Sequence, residues 1–177
     1  MVKETKSRAD SAVCFLDVDG VLNCDATRPG DGVREVAFTP PYASRVFTGM
    51  ADTAKVSALT EMLEACGARI VVSSSWRAAF ESAAAFAGAI GIPPLASERA
   101  RFHRDWQTEQ KFSATRAQEI GLWLAAHKHV KRFAILDDHD ICANRPEFEP
   151  HFVRTDSAVG LTEADLARVK IILETAP

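Results

Sequence analysis

The sequence is marked first by features that it lacks. No apolar run approaches the roughly 20 residues that a membrane-spanning helix needs, and the N-terminal segment MVKETKSRADSA has no apolar stretch typical of signal peptides. The 21 Lys and Arg residues against 24 Asp and Glu residues give a net charge of -3, which argues against a protein that mainly coats nucleic acid. The four cysteines form no CxxC pair and no zinc-spaced cluster with histidine. We therefore expect a reduced, soluble, cytoplasmic enzyme or binding module, with no membrane association and no obligate protein partner.

The order of apolar and amphipathic segments predicts an α/β fold with a mainly parallel central sheet. The chain has 177 residues, of which 47% are hydrophobic and 25% charged, as in an average globular protein. Four short apolar runs have the composition of strands, at residues 12–18, 68–74, 132–138 and 151–156. Helical periodicity starts near Asp52 or Thr53, surrounds Ile120 to Leu124, and follows Thr162 as a capping residue. We predict one domain at 12–177, after an N-terminal tail at 1–11.

Two segments depart from this alternation of strands and helices. Residues 24–50 are rich in Gly, Pro and Thr and predict a small hairpin flap, with strands at 33–38 and 42–47 around the Pro40-Pro41 turn. Residues 91–115 begin with GIPPL and continue with mixed charges and aromatic residues, which predicts an irregular loop.

Polar side chains follow three of the predicted strands, at the edge of a parallel sheet where ligands bind. The first strand is followed by Asp17, Asp19 and Gly20, the second by Ser73, Ser74 and Ser75, and the third by Asp137 and Asp138. Crowded carboxylates repel one another, so such a cluster favours a bound cation. Hard oxygen donors point to Mg²⁺, and a magnesium site beside a nucleophilic carboxylate suits phosphoryl transfer.

These motifs resemble those of the haloacid dehalogenase-like (HAD) phosphohydrolase superfamily. FLDVDGVLN at 15–23 is similar to the first motif, IVVSSSWR at 70–77 to the second, and FAILDDHD at 133–140 to the fourth. Together with a basic residue before the EIGLWL helix, they resemble more narrowly the HAD domain of Swiss-army-knife RNA repair proteins. The resemblance implies a Rossmann-like, three-layer α/β/α core. The short gaps between the motifs indicate a capless enzyme, or one with only a small flap.

The resemblance also implies catalytic and metal-binding roles. Asp17 would attack phosphorus and form an aspartyl-phosphate. Asp19 would protonate the leaving oxygen and then deprotonate the hydrolytic water. The Asp17 side chain, the Asp19 carbonyl and Asp137 would bind Mg²⁺, and Asp138 would ligate it either directly or through water.

Residues that contact phosphate in the family carry over to the second and third motifs. Ser73 would donate a hydrogen bond to a phosphoryl oxygen, with Ser74 as the alternative. Gly20 would let the backbone approach the phosphate closely. The basic third-motif residue is either Arg116 or Lys111. We favour Arg116 because it directly precedes the AQEIGLWL helix, where the narrower family carries its basic residue.

Arg77 permits two interpretations, either a bidentate clamp on a substrate phosphate or a solvated helix residue. His103, Arg104 and Trp106 are basic and aromatic, as nucleic-acid contacts are, but the neighbouring acidic residues favour an ordinary solvated loop. Trp76 is expected to serve in packing.

The predicted function is a Mg²⁺-dependent phosphomonoester hydrolase, and three alternatives accompany it. A two-component receiver domain is disfavoured because its acidic pair comes first in the chain. A catalytically inactive HAD-like binding module is disfavoured by the intact Asp17, Asp19 and Asp137. A phosphotransferase remains open. The open crevice and the family point to nucleic-acid terminal phosphates as the substrate, whereas the net charge of -3 keeps small phosphomonoesters open.

Overall fold

A computed structural model of the chain describes residues 11–39, 44–92, 101–111 and 113–175. The strands in these ranges are β1 (Ala12–Leu16), β2 (Val33–Phe38), β3 (Phe47–Asp52), β4 (Arg69–Val72), β5 (Phe102–Gln107), β6 (Arg132–Asp137) and β7 (Phe152–Arg154). The α-helices are α1 (Thr53–Ala65), α2 (Ala83–Ile90), α3 (Arg116–Ala126) and α4 (Glu163–Thr175). Short 3₁₀ helices span Ser75–Ala79, Cys142–Asn144 and Pro146–His151.

Five strands form one sheet in the order β5-β4-β1-β6-β7, and every pairing in it is parallel. β1 lies at the centre, where Leu16 is level with Val72 of β4 and with Leu136 of β6. The three strands that carry the sequence motifs are therefore neighbours and end at the same edge of the sheet. This confirms the predicted parallel α/β sheet.

Alternate residues of the central strand serve two separate hydrophobic cores. Cys14 and Leu16 pack with residues of α1, α2 and α4, whereas Val13 and Phe15 pack with residues of α3. Since successive side chains of a strand point to opposite faces, helices cover both faces of the sheet. The Rossmann-like three-layer architecture is confirmed. Among the described residues, no helix combines the length and the apolar character that crossing a bilayer requires.

The segment predicted as a flap contains an antiparallel hairpin of β2 and β3. The first predicted strand, 33–38, is confirmed, but the second begins at Phe47 instead of occupying 42–47. It continues to Asp52, whose side chain accepts the N–H groups of Ala54 and Lys55 and caps α1. The prediction placed this strand too early because it centred the hairpin on Pro40-Pro41, which lie outside the described residues.

The prediction of an irregular loop at 91–115 is wrong for 102–107, which form the edge strand β5. His103, Arg104 and Trp106 therefore lie on a strand. Within the described ranges, FHRDWQ pairs with β4 alone and keeps polar residues at exposed positions, so it lacks the continuous apolar character of the inner strands. Residues 93–100 and 112 of this segment lie outside the described residues.

Candidate active site

Two buried carboxylates meet where β1 and β6 end. Asp17 directly follows β1, and its N–H donates to the Leu136 carbonyl at 3.0 Å. Asp137 is the last residue of β6 and is fully buried. Possible ligand atoms of Asp17, Asp137, Asp138 and His139 all lie within 4.8 Å of one another. The structure thus brings together the three acidic side chains that the sequence predicts as metal ligands.

A cation already faces this pair of carboxylates. Arg116 Nη1 donates to Asp17 Oδ2 and, at 2.5 Å, to Asp137 Oδ2. Burial by itself would lower the pKa of Arg116, but the two carboxylates outweigh burial and raise that pKa above its ordinary value. Arg116 is the first residue of α3, where Thr115 forms a capping box with Gln118 that fixes the start of the helix.

The alternative third-motif residue lies elsewhere. The Lys111 ammonium is 3.3 Å from Glu109 and largely exposed, while its backbone N–H donates to Glu119. Of the two basic residues that the sequence offered, only Arg116 contacts the carboxylate cluster in the described structure.

Each buried carboxylate turns one oxygen to the backbone and the other to Arg116. Asp17 Oδ1 accepts the Val18 N–H at 2.8 Å, and Asp137 Oδ1 accepts the His139 N–H at 2.9 Å. Burial and the adjoining Asp17 charge raise the pKa of Asp137, while Arg116 opposes that shift. Carboxylate oxygens of Asp17, Asp137 and Asp138 together form a set of hard oxygen donors that fits Mg²⁺.

Asp19 lies beside this cluster and accepts two side-chain hydrogen bonds. Trp76 Nε1 donates to Oδ2 at 2.8 Å, and Asn23 Nδ2 donates to Oδ1 at 2.9 Å. Sequence reasoning treated Trp76 only as a packing residue and did not single out Asn23. Trp76 is 57 positions from Asp19, and nothing in the sequence pattern links the two.

Gly20 adopts a left-handed conformation with φ of 71°. A Cβ atom at this position would lie 2.5 Å from Asp138 Cγ, so glycine is needed for the close approach of Asp138. The Gly20 carbonyl also accepts a hydrogen bond from Thr155 Oγ1 at 2.8 Å. The structure thus gives Gly20 a role in placing Asp138, in addition to the predicted approach of backbone to phosphate.

The two serines after β4 differ in their hydrogen bonding. Ser74 Oγ accepts the Trp76 N–H at 3.3 Å and caps the following 3₁₀ helix. Ser73 Oγ is buried and has no hydrogen-bond partner among the described residues. A buried hydroxyl without a partner costs free energy, so Ser73 is the serine whose environment fits a ligand contact.

The Arg77 side chain is buried, and its guanidinium forms hydrogen bonds with other protein atoms. It donates to Glu119 Oε2 at 2.6 Å, to the Thr108 carbonyl at 2.9 Å and to the Ser74 carbonyl at 2.6 Å. Only 3% of the residue is exposed. Arg77 is therefore not a solvated helix residue, and its guanidinium binds protein atoms instead of being free to clamp a substrate phosphate. Its hydrogen bonds connect the end of β4 to α3.

A second group of possible ligands forms between β5 and the end of α3. His127 Nε2 contacts Asp105 Oδ2 at 2.7 Å, and its Nδ1 contacts the Trp123 carbonyl at 2.7 Å. His103 Nδ1 accepts the backbone N–H of Asp105 at 3.1 Å. These hydrogen bonds and the stacking of His127 on Trp123 connect β5 to the end of α3.

Comparison with known proteins bears on most of the chain. A family model described as the HAD domain in Swiss Army Knife RNA repair proteins matches residues 13–166, a range that spans all the motif residues discussed above. No curated protein and no solved structure matches the chain.

Proposed function

The chain belongs to the family of HAD domains in Swiss Army Knife RNA repair proteins, and we propose that it is a Mg²⁺-dependent phosphomonoester hydrolase that forms an aspartyl-phosphate. The observation that carries the proposal is the position of Asp17. Its carboxylate is buried at the end of the central strand, beside Asp137, with one oxygen held by the backbone and the other facing Arg116. A carboxylate fixed in this way is oriented for attack instead of rotating freely.

Asp17 Oδ2 acts as the nucleophile toward the phosphorus of a phosphomonoester. A bond forms between this oxygen and phosphorus, and the bond from phosphorus to the leaving oxygen breaks. Asp19 supplies the proton that turns the leaving oxygen into an alcohol. Water then attacks the phosphorus of the aspartyl-phosphate and gives its proton to Asp19. This second step releases inorganic phosphate and restores the Asp17 carboxylate.

Arg116 and Ser73 supply the contacts to the phosphoryl group. The Arg116 guanidinium is a planar donor suited to phosphate oxygens, and in this structure it contacts the nucleophile itself. The hydroxyl of Ser73, which has no hydrogen-bond partner in the described part of the chain, provides a neutral donor at the end of the neighbouring strand. Lys111 is not required for this arrangement.

Asp17, Asp137 and Asp138 would hold the metal, together with the backbone carbonyl of Asp19 that the family resemblance implies. Bound Mg²⁺ would offset the negative charge of the phosphate and of the clustered carboxylates. Asp137 is fully buried beside Asp17, so a bound cation would favour its charged form in addition to the contact with Arg116.

The family's association with RNA repair favours a terminal phosphate of RNA as the substrate. At the end of β5, an open cavity of about 540 Å³ is lined by Arg77, Arg104 and Trp106, and its lining does not include Asp17, Asp19 or Asp137. Its lining also contains Asp105 and Glu109, so the charge in the cavity is mixed. RNA ends and small phosphomonoesters therefore both belong in the test.

The test measures phosphate release from 5′-phosphorylated RNA, 3′-phosphorylated RNA and an aryl phosphate, with Mg²⁺ or with a chelator. We expect release that depends on Mg²⁺ and that disappears in Asp17→Asn. The matched control is Asp31→Asn, the same change at an exposed position of the chain, which should retain activity. Release that survives in Asp17→Asn would contradict the proposal, and so would a failure of wild-type protein on every substrate.

A further inference from the structure

Asp19 is exposed, yet both of its carboxylate oxygens are held by side-chain donors. An exposed carboxylate is not oriented by packing and can rotate unless hydrogen bonds fix it. Trp76 contributes its indole N–H to Oδ2, and Asn23 contributes its amide N–H to Oδ1, at 2.8 and 2.9 Å. We expect the Asp19 carboxylate to carry the proton, and its orientation therefore depends on these two donors.

Trp76 is held in turn by the β2–β3 hairpin. The residue is only 2% exposed, and its ring lies 5.0 Å from that of Phe38 on β2. The indole ring also lies against Gly49 on β3, where a Cβ atom would be 2.1 Å from Trp76 Cζ2. Glycine at position 49 therefore makes room for the indole ring against the hairpin.

Asn23 also connects Asp19 to the hairpin. Its amide nitrogen donates to the Met50 carbonyl of β3 at 2.8 Å, in addition to Asp19. Its amide oxygen accepts the Gly20 N–H at 2.8 Å, which fixes the turn after Asp19. Both donors to Asp19 therefore contact the β2–β3 hairpin, Asn23 through β3 and Trp76 through both strands.

We propose that Trp76 and Asn23 are positioning residues that aim the Asp19 carboxylate for proton transfer, and that the β2–β3 hairpin sets their placement. This inference rests on the proposed function and adds to it the residues that control the acid–base step. Each carboxylate oxygen has two lone-pair positions, so one donor on each leaves room for the transferable proton.

If Trp76 and Asn23 position Asp19, the effect of removing them on the cleavage rate should depend on the leaving group. An alkyl leaving oxygen, as in an RNA terminal phosphate, needs the proton from Asp19, whereas 4-nitrophenolate leaves without one. In Trp76→Phe we expect kcat for an alkyl phosphate to fall about ten- to a hundredfold with little change in KM. The first turnover of 4-nitrophenyl phosphate should keep its wild-type rate in the same variant.

The matched control is Trp123→Phe, which removes an indole N–H that donates to the Asp105 carbonyl, away from the acidic cluster. This variant should lower stability but keep the wild-type ratio of alkyl to 4-nitrophenyl phosphate rates. A decrease in stability alone therefore does not reproduce the effect expected of Trp76→Phe.

The hairpin is tested with Gly49→Ala. Its added methyl group displaces the indole ring, so the variant should show the same leaving-group dependence as Trp76→Phe. In the double variant the smaller Phe ring relieves that contact, and the two losses should not add.

Several results would overturn the inference. Equal slowing of alkyl and 4-nitrophenyl first turnovers in Trp76→Phe, or no slowing of either, would remove the positioning role while the phosphatase activity stands. If Gly49→Ala and Trp76→Phe lowered the alkyl phosphate rate additively, the hairpin would not act through Trp76. If the wild-type protein releases no phosphate from any substrate, the proposed function fails and the positioning role fails with it.

Discussion

The guanidinium of Arg77 donates to the carboxylate of Glu119 at 2.6 Å, and both side chains are buried. Glu119 lies one helical turn after Arg116 on α3, and its second oxygen accepts the Lys111 N–H at 3.0 Å. Arg77 lies only three residues after Ser74, which follows β4. The ion pair therefore fixes the end of β4 relative to the helix that carries Arg116.

This pair predicts a large loss of stability when one partner is removed. Arg77→Met leaves the Glu119 carboxylate buried without its cation, so the free energy of unfolding should fall by about 3–5 kcal/mol. Urea unfolding measures the change. Arg104→Met, the same replacement at an exposed arginine, should stay within about 0.5 kcal/mol of wild type. Equal effects of the two substitutions would show that the pair does not brace the fold.

Gly20→Ala is expected to weaken Mg²⁺ binding. The new methyl group would overlap Asp138, and the left-handed backbone adds a conformational cost of about 1–2 kcal/mol. Gly67→Ala is the control, because Gly67 has φ of 63° but nothing within 4 Å of the added atom. Both variants should melt at a lower temperature, but only Gly20→Ala should lose the stabilisation by Mg²⁺. A normal Mg²⁺ response in Gly20→Ala would rule out this role.

The contact between Asp105 and His127 predicts a pH dependence of stability. The hydrogen bond from His127 lowers the pKa of Asp105 below its ordinary value of 3.8, and the charges of His127 and Arg104 act in the same direction. A carboxylate whose pKa is lower in the folded state stabilises the fold above its unfolded pKa. That contribution disappears as the pH falls through the folded pKa.

Asp105→Asn should therefore melt below wild type at neutral pH, and the difference should shrink as the pH falls below about 4. Thermal melts from pH 7 to pH 2 measure the difference, with Asp31→Asn as the control. A difference in melting temperature that stays constant over this range would exclude a contribution from the ionised Asp105.

The cysteines are expected to differ in reactivity. Burial raises the pKa of the Cys14 thiol to about 12, whereas the hydrogen bond from the Thr27 hydroxyl lowers the pKa of Cys24. Because the thiolate is the reactive form, iodoacetamide should modify Cys24 first and Cys14 last. Peptide mass spectrometry over time measures the order, and Thr27→Val should slow the labelling of Cys24. Early labelling of Cys14 in the native protein would contradict the assignment.

The sequence predicts the site residues that lie at the ends of strands. Asp17 and Asp137 follow continuous apolar runs, and parallel neighbours end at one edge of the sheet, so their proximity follows from topology. Arg116 is favoured over Lys111 because the family resemblance places a basic residue just before the AQEIGLWL helix. The apolar pattern indicates the parallel α/β sheet, and the resemblance adds the three-layer arrangement.

Other features depend on contacts between distant segments, which periodicity does not encode. The Trp76 indole reaches Asp19 because the hairpin holds it there, and Arg77 is buried because Glu119 lies opposite. β5 was missed because an edge strand with polar outer positions resembles a loop. In each case the deciding interaction is a tertiary one between segments far apart in sequence.

The measurement that tests the central claim most directly is the trapping of a phosphoenzyme. Asp19→Asn removes the base that activates water, so incubation with 4-nitrophenyl phosphate and Mg²⁺ should accumulate the acyl phosphate. After an acid quench, peptide mass spectrometry should find one phosphoryl group on Asp17, and none in Asp17→Asn/Asp19→Asn. Phosphate released without any modification of Asp17, or a phosphoryl group on another residue, would contradict the account.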